Sequence, residues 1–210
     1  MEKHTENNSA RLVGTIIEEL KFSHSVLGEK FFETKICVQR KSENTDIIPV
    51  IISERIMNGE QNWYGKKVWL YGQFRSHNAD DGNRRRLFLQ FFVQEWHFAD
   101  GEKYDKNDIA LDGYIVKNPI YRETPSGYRI CDLLIAVNRN YAKSDYIPCI
   151  AWGRTAVYAA TLDVGTRIRI DGRIQSREYE KKLSETETEK RTAYEVSVLI
   201  MEVVDENSND

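Results

Sequence analysis

The chain has 210 residues, of which 40% are hydrophobic and 30% charged, and its formal net charge is -3. This length and composition are typical of a soluble globular protein with one large domain or two small ones. With this slight negative charge, the protein has no overall positive electrostatic field that would attract phosphate groups. A nucleic-acid site would therefore have to be a local basic and aromatic surface.

The first half of the chain contains mainly β-strand signals. Residues 67–74 (KVWLYGQF) are rich in β-branched and aromatic residues and predict a strand. Residues 54–63 (ERIMNGEQNW) predict a short helix less clearly. Residues 99–108 (ADGEKYDKND) are polar and contain one glycine, so we interpret them as a linker.

The second half repeats this pattern more clearly. Strands are predicted over residues 131–139 (CDLLIAVNR), 146–152 (YIPCIAW) and 165–174 (GTRIRIDGRI), where Gly and Pro interrupt short apolar runs. Residues 154–163 show helical apolar spacing at Val157, Ala160 and Thr161. The dense mixed charge of residues 180–191 predicts a solvated hairpin loop.

An internal repeat links the two halves. Nine residues recur at an offset of 99 or 100: Gly14/Gly113, Gly28/Gly127, Val38/Val137, Arg40/Arg139, Asp46/Asp145, Pro49/Pro148, Gly65/Gly165, Gly72/Gly172 and Ser76/Ser176. A period of about 100 indicates domain duplication, because solenoid repeats run at roughly 20–50 residues. We therefore predict one domain over residues 1–103 and a second over residues 104–210.

The order of elements in each half predicts the fold. Five short strands with one helix before the fourth is the arrangement of the OB fold, a small Greek-key barrel. The predicted fold class is thus all-β, with two tandem OB-fold barrels and one short helix in each.

Cysteines and the N-terminus bear on the compartment. Cys37, Cys131 and Cys149 form no C-x-x-C pair, so neither a zinc site nor a disulfide framework is expected, and a reducing cytosol fits best. The N-terminal MEKHTENNSAR lacks the apolar core of a signal peptide, and no apolar run approaches the ~20 residues of a membrane span. We expect a cytoplasmic protein without membrane contact.

The second half resembles the bacterial single-stranded DNA-binding protein family. The resemblance lies in LDGYIVKNPIYRETPSGYRICDLLIAVNRNY (111–141), DYIPCIAWGRTA (145–156) and GTRIRIDGRIQSREY (165–179). The first half is similar but more divergent, and retains HSVLGEKFFETKICVQR (24–40), DIIPVII (46–52) and GKKVWLYGQFRSHN (65–78). The resemblance covers nearly all of residues 109–204.

The resemblance implies a function as well as a fold. It implies sequence-nonspecific coating and protection of single-stranded DNA in replication, recombination or repair, in the cytoplasm at the bacterial nucleoid. It implies no catalysis, no metal, no cofactor and no small-molecule substrate. Family members with one OB fold per chain act as tetramers, so a chain with two would present four as a homodimer.

Binding single strands without sequence choice requires aromatic faces for bases and cations for phosphates. By position in the family motif, the stacking candidates of the second half are Tyr141, Tyr146, Trp152 and Tyr179. The candidate phosphate contacts or stacking cations are Arg139, Arg154, Arg173 and Arg177.

The first half departs from that motif. Ile47 and Ser53 stand where Tyr146 and Trp152 stand in the second half, so two stacking faces are missing. Its own candidates are Trp69, Tyr71, Arg75, Arg86 and Phe88. Phe91 and Phe92 are consecutive, so one of them must point into the core. The first half could therefore contact DNA or serve mainly in assembly.

Two alternatives to a coating protein remain open. One is a primosome-type accessory protein of the same fold that contacts a helicase as well as DNA. The other is a module whose barrels mainly bind protein. An enzyme is not expected, because neither a phosphate-binding glycine loop nor a hydrolase or zinc-protease motif occurs.

Overall fold

The computed structural model describes residues 7–60, 62–80, 85–139, 143–182 and 188–204. In the first half the strands are β1 (Asn8–Ile16), β2 (Lys21–Val26), β3 (Glu29–Gln39), β4 (Thr45–Ser53), β5 (Lys67–Asp80) and β6 (Arg85–Phe98). In the second half they are β7 (Lys106–Ile115), β8 (Ile120–Glu123), β9 (Arg129–Arg139), β10 (Lys143–Trp152), β11 (Arg167–Lys182) and β12 (Thr188–Val203). A 3-10 turn spans Glu54–Ile56, and helix α1 spans Gly153–Ala159.

The strands of each half close into a barrel with the same connections. In the first, β3, β4, β6, β5 and β1 are neighbours in that order, and β1 also pairs with β3. Strand β4 runs parallel to β6, whereas the other pairs are antiparallel. The second barrel repeats this with β9, β10, β12, β11 and β7. This is the OB-fold arrangement, and the prediction of two tandem OB-fold barrels is confirmed.

Alternating apolar residues fill the barrels, as the period of two requires. In the first barrel Ile48, Val50 and Ile52 point inward from β4 and are at most 1% exposed. Phe91 also points inward and is fully buried, whereas its neighbour Phe92 lies on the outer face and is half-buried. Each barrel thus directs the alternate residues of its strands outward, and some of these reach the surface.

Two local predictions were wrong. The helix predicted over residues 54–63 is only a three-residue 3-10 turn. Helix α1 buries Ala156 and Ala159, whereas Val157 is 42% exposed, so the apolar spacing had pointed to the wrong face. Several strands are also longer than expected: β11 and β12 have 16 residues each.

Two repeated glycines mark where each barrel closes. A Cβ on Gly14 would lie 2.3 Å from the carbonyl oxygen of Cys37, and one on Gly113 would lie 2.5 Å from that of Ala136. Both distances are shorter than any van der Waals contact, so only glycine lets the first strand of each barrel approach its neighbour.

The first strands of the two barrels also pair with each other. Strand β1 is antiparallel to β7, with Ala10 opposite Ile109 and Leu12 opposite Asn107. All twelve strands therefore form one hydrogen-bonded sheet. Residues 106–108, predicted as linker, belong to β7. None of the helices within the described ranges is long and apolar enough to cross a membrane.

Candidate nucleic-acid interface

A buried carboxylate of the first barrel binds the second barrel. Asp46, at the start of β4, is 1% exposed and accepts a hydrogen bond from Arg40 Nε at 2.7 Å within its own barrel. It also accepts the backbone N–H of Ser176 at 2.9 Å and a bond from Arg173 Nη1 at 3.2 Å, both from β11. The hydroxyl oxygen of Ser176 in turn accepts the N–H of Ile47 at 3.0 Å.

The equivalent aspartate of the second barrel makes the same contact with the first barrel. Asp145 is fully buried at the start of β10 and accepts the backbone N–H of Ser76 at 2.6 Å. The hydroxyl oxygen of Ser76 accepts the N–H of Tyr146 at 2.8 Å. Arg139 lies 3.1 Å from Asp145. We call these two reciprocal sets of contacts the clasp. It accounts for the repeated Asp and Ser positions, because the aspartate of each barrel accepts the backbone N–H of the serine of the other. The repeated arginines pair with the aspartate of their own barrel.

The clasp contains two of the candidate arginines. Arg139 and Arg173 are each within 3.2 Å of a buried aspartate. Burial lowers the pKa of Arg173, and repulsion from Arg40 lowers it further, while Asp46 opposes both effects. Arg173 therefore links the two barrels, whereas Arg139 pairs with an aspartate of its own barrel. Their assignment as phosphate contacts stays a prediction.

Four other candidates share the outer face of the second barrel. Trp152 Nε1 donates to Ser197 Oγ at 3.2 Å, which places Ser197 on the same face as the indole. Arg173 pairs directly with Ser197 across β11 and β12, so Arg177 and Tyr179 follow on that face at even spacing. Tyr146 lies on it as well, six residues before Trp152 on β10.

These side chains are accessible. Tyr146 is 42% exposed, Trp152 40% and Tyr179 38%. The Arg177 guanidinium lies 5.9 Å from the Tyr179 ring centroid and 3.8 Å from Glu195. Three aromatic rings and one exposed cation on a single face can stack bases and attract phosphate.

The remaining second-barrel candidates are placed differently. Arg154 lies on α1 and is exposed, two residues after Trp152 in the chain. Tyr141 falls between β9 and β10, outside the described residues.

A groove of about 1600 Å³ runs along the outer face of the first barrel and reaches the second. It brings together five predicted site residues: Arg75, Arg86, Phe88, Arg139 and Tyr179. Tyr179 thus borders both this groove and the aromatic face of the second barrel.

Comparisons with known proteins agree with this geometry. A model of the single-strand binding protein family matches residues 106–204. Single-stranded DNA-binding protein 2 of Listeria innocua is 37% identical over 81 residues, which cover 35% of this chain and 51% of the relative. Single-stranded DNA-binding protein A of Bacillus subtilis is 36% identical over 81 residues, 35% of this chain and 47% of the relative.

The second barrel is thus similar to the single-strand binding protein family. The chain spans about half the length of the curated relatives it matches. The wild-type single-stranded DNA-binding protein from Thermus aquaticus has the same fold over 97% of this chain and 95% of its own, with a TM-score of 0.77 and 18% identity. The likeness of fold therefore extends to both barrels, whereas the family match covers the second.

Two first-barrel candidates lie away from both the groove and the aromatic face of the second barrel. Trp69 is only 9% exposed, and the Lys106 ammonium and Arg11 guanidinium lie 4.4 Å and 5.7 Å from its ring centroid. The Tyr71 and His97 rings stack beside it at 5.8 Å and 5.7 Å. Trp69 is therefore largely buried among these neighbours, and its role in base stacking stays a prediction. Tyr71 is 37% exposed but borders a separate shallow depression between β1, β7 and β11.

Sequence reasoning missed several residues of the groove, among them Phe31, Lys143 and Arg191. Phe31 could have been found by the argument used for Phe91 and Phe92. It stands beside Phe32 in β3, so one of the two rings must face outward. Only the structure shows that Lys143 and Arg191 of the family-matched barrel border a groove built mainly by the other barrel.

Proposed function

We propose that the chain binds single-stranded DNA without sequence preference and coats and protects it in replication, recombination or repair. The observation that carries this is the outer face of the second barrel, where Tyr146, Trp152 and Tyr179 are exposed beside Arg177. Every base has an aromatic face, so stacking on such rings tolerates any sequence.

The physical design fits a neutral-to-acidic protein. With a net charge of -3 the whole field does not attract DNA, so affinity has to come from local contacts. Base stacking contributes roughly 1–3 kcal/mol per base, and a few exposed cations supply the salt-dependent part. The relatives bear the name single-stranded DNA-binding protein, which supports a binding role without a catalytic step or a cofactor.

We also propose that two chains assemble into a homodimer that presents four OB folds in the bacterial cytoplasm. On β12 the neighbouring apolar side chains of Leu199 and Ile200 are 67% and 56% exposed. Burying such a pair against a second copy would remove apolar surface from water. Sedimentation of the full chain tests this, and a monomer at micromolar concentration would contradict it.

The function is tested by titrating intrinsic fluorescence with poly-dT, with duplex DNA as the control. We expect poly-dT to quench tryptophan emission, and the affinity to fall as salt rises. Trp152→Leu should remove most of the quenching and weaken binding by about 1–3 kcal/mol if one base stacks there. Tyr104→Leu is the matched control, since Tyr104 is 68% exposed and lies outside the interface. Absence of binding at about 50 mM salt by the unsubstituted protein would refute the proposed function.

A further inference from the structure

The first barrel lacks aromatic residues at positions 47 and 53, but its outer face carries other aromatic rings. In the second barrel Trp152 on β10 stands directly opposite Ile130 on β9. In the first barrel the equivalent pair is Ser53 on β4 and Phe31 on β3. Directly opposite residues of an antiparallel pair project to the same side of the sheet, about 5 Å apart. The aromatic ring has therefore moved to the neighbouring strand.

A second exchange occurs on the other side of β4. Ile51 pairs with Phe92 in the first barrel, just as Ile150 pairs with Ser197 in the second. Phe92 therefore occupies the position of Ser197, the residue that accepts the hydrogen bond of the Trp152 indole. At these positions the second barrel has the Trp152 ring and the Ser197 hydroxyl. The first barrel has the Ser53 hydroxyl and the rings of Phe31 and Phe92.

These rings form two groups that line the groove. His24 stacks on Phe31 with centroids 5.0 Å apart and an interplanar angle of 8°. Phe31 and Phe92 are 6.2 Å apart, and the Arg75 guanidinium lies 3.7 Å from the Phe92 centroid. Further along, His77 stacks on Phe88 at 5.4 Å. Aromatic faces alternating with a cation are the elements that bind bases next to phosphates.

The charge of the groove favours a polyanion. Its described lining contains one acidic side chain, Glu33, and five basic ones: Arg75, Arg86, Arg139, Lys143 and Arg191. Arg139 pairs with Asp145 and Arg191 with Glu189, both of them carboxylates outside the lining. Arg75 makes no ion pair within the described ranges and directs its nitrogens to Gln73.

The shape of the groove favours a polymer over a small molecule. Its volume of about 1600 Å³ exceeds the roughly 300–1,000 Å³ of a typical small-molecule pocket, and it is only partly enclosed. Its lining includes Tyr179, which belongs to the aromatic face of the second barrel. A strand leaving that face at Tyr179 would enter the groove without crossing another surface.

We propose that the first barrel carries a second base-stacking surface, formed by Phe31, Phe92 and Phe88 with Arg75, and that one DNA strand continues onto it from Tyr179. This rests on the proposed function, since it extends the path of the same ligand. The first barrel is then a DNA-binding partner of the second and not only an assembly element. Its stacking residues lie on β3 and β6, whereas the described stacking candidates of the second barrel lie on β10 and β11.

The test compares short and long oligonucleotides. One OB fold covers roughly 4–16 nucleotides, so dT10 can be held by the second barrel alone, whereas dT35 is long enough for both. Phe31→Leu/Phe92→Leu should weaken dT35 binding at least about fivefold, which corresponds to ~1 kcal/mol for one stacked base, and leave dT10 quenching unchanged. Phe22→Leu is the matched control, because Phe22 is a 58% exposed phenylalanine of the same hairpin that packs on inward-facing Phe32.

Each outcome decides the proposal. If the unsubstituted protein binds neither length, the proposed function itself fails. If it binds both and the double variant keeps full dT35 affinity, the second surface is refuted while the function stands. A double variant that changes the sedimentation of the protein but not its dT35 affinity would show that a second copy occupies the groove, which also refutes it.

Cross-linking gives a readout that loss of folding cannot imitate. UV irradiation of the unsubstituted protein with 5-iodouracil-substituted dT35 should attach the nucleic acid to peptides containing Phe31, Phe88 or Phe92. Cross-links confined to peptides of the second barrel would overturn the proposal.

Discussion

Replacing Asp46 tests whether the clasp is a desolvated ion pair that holds the two barrels together. Asp46 is 1% exposed and accepts bonds from Arg40, Arg173 and the N–H of Ser176. Asp46→Ala would leave two guanidinium groups and one N–H without their buried acceptor. Removing one partner of a buried ion pair costs about 3–5 kcal/mol, so we expect the free energy of unfolding to fall by that amount.

The assay is urea-induced unfolding followed by far-UV circular dichroism, with Asp108→Ala as the matched control. Asp108 accepts a bond from Arg11 at 2.8 Å next to the β1–β7 junction, but the two side chains are 60% and 44% exposed. An exposed pair contributes about 0.2–1 kcal/mol, so this control should lose little. Equal small losses in both variants would refute the view that the clasp is a buried ion pair.

The symmetry of the clasp sharpens the prediction. Asp145→Ala should lose a similar amount, since Asp145 is fully buried and holds Ser76 and Arg139. Both aspartates join the same two barrels, so the double variant should lose less than the sum of the single losses. Strict additivity would mean that the two halves of the clasp act independently.

Two further predictions concern binding and folding. Arg177→Gln should weaken poly-dT binding and reduce the slope of log affinity against log salt by about 0.7, the value for one phosphate contact on a single strand. Arg169→Gln, equally exposed but paired with Asp112, should leave the slope unchanged, and equal slopes for all three proteins would remove Arg177 from the interface. Gly113→Ala should lower the free energy of unfolding by about 1–3 kcal/mol through overpacking against Ala136, whereas Gly28→Ala meets open space and should show only the smaller strain of its positive φ. Thermal melts compare the two, and a Gly113→Ala protein as stable as the parent would contradict the close approach of β7 to β9.

The sequence predicted the fold because period and repeat are local signals. Alternating apolar residues define the inward face of β4 and β10, and the glycines at 14 and 113 mark the same barrel closure twice. Helix predictions failed where local propensity was weak. Residues 54–63 contain Asn58 and Gly59, both with positive φ, so the chain makes only a turn there.

The site was predicted less completely because its parts come from different strands. Tyr146, Trp152, Arg177 and Tyr179 follow from a motif within one barrel. That Arg173 binds Asp46 depends on how the barrels meet, which no local pattern shows. The first barrel has its aromatic ring at position 31 and not at position 53, the equivalent of Trp152. That Phe31 lies opposite Ser53 cannot be predicted without the register of β3 against β4. The burial of Trp69 depends on Lys106 and Arg11, one of which comes from the other barrel.

Joining β1 to β7 within one polypeptide has an evolutionary consequence. In a dimer of identical single-barrel chains, any substitution at the interface appears on both sides at once, so the two halves cannot change separately. Here each barrel has its own coding sequence, and the covalent connection keeps the pair together at any dilution. One barrel can therefore alter its surface while the other keeps the ancestral one, provided that the reciprocal Asp and Ser contacts between them are maintained.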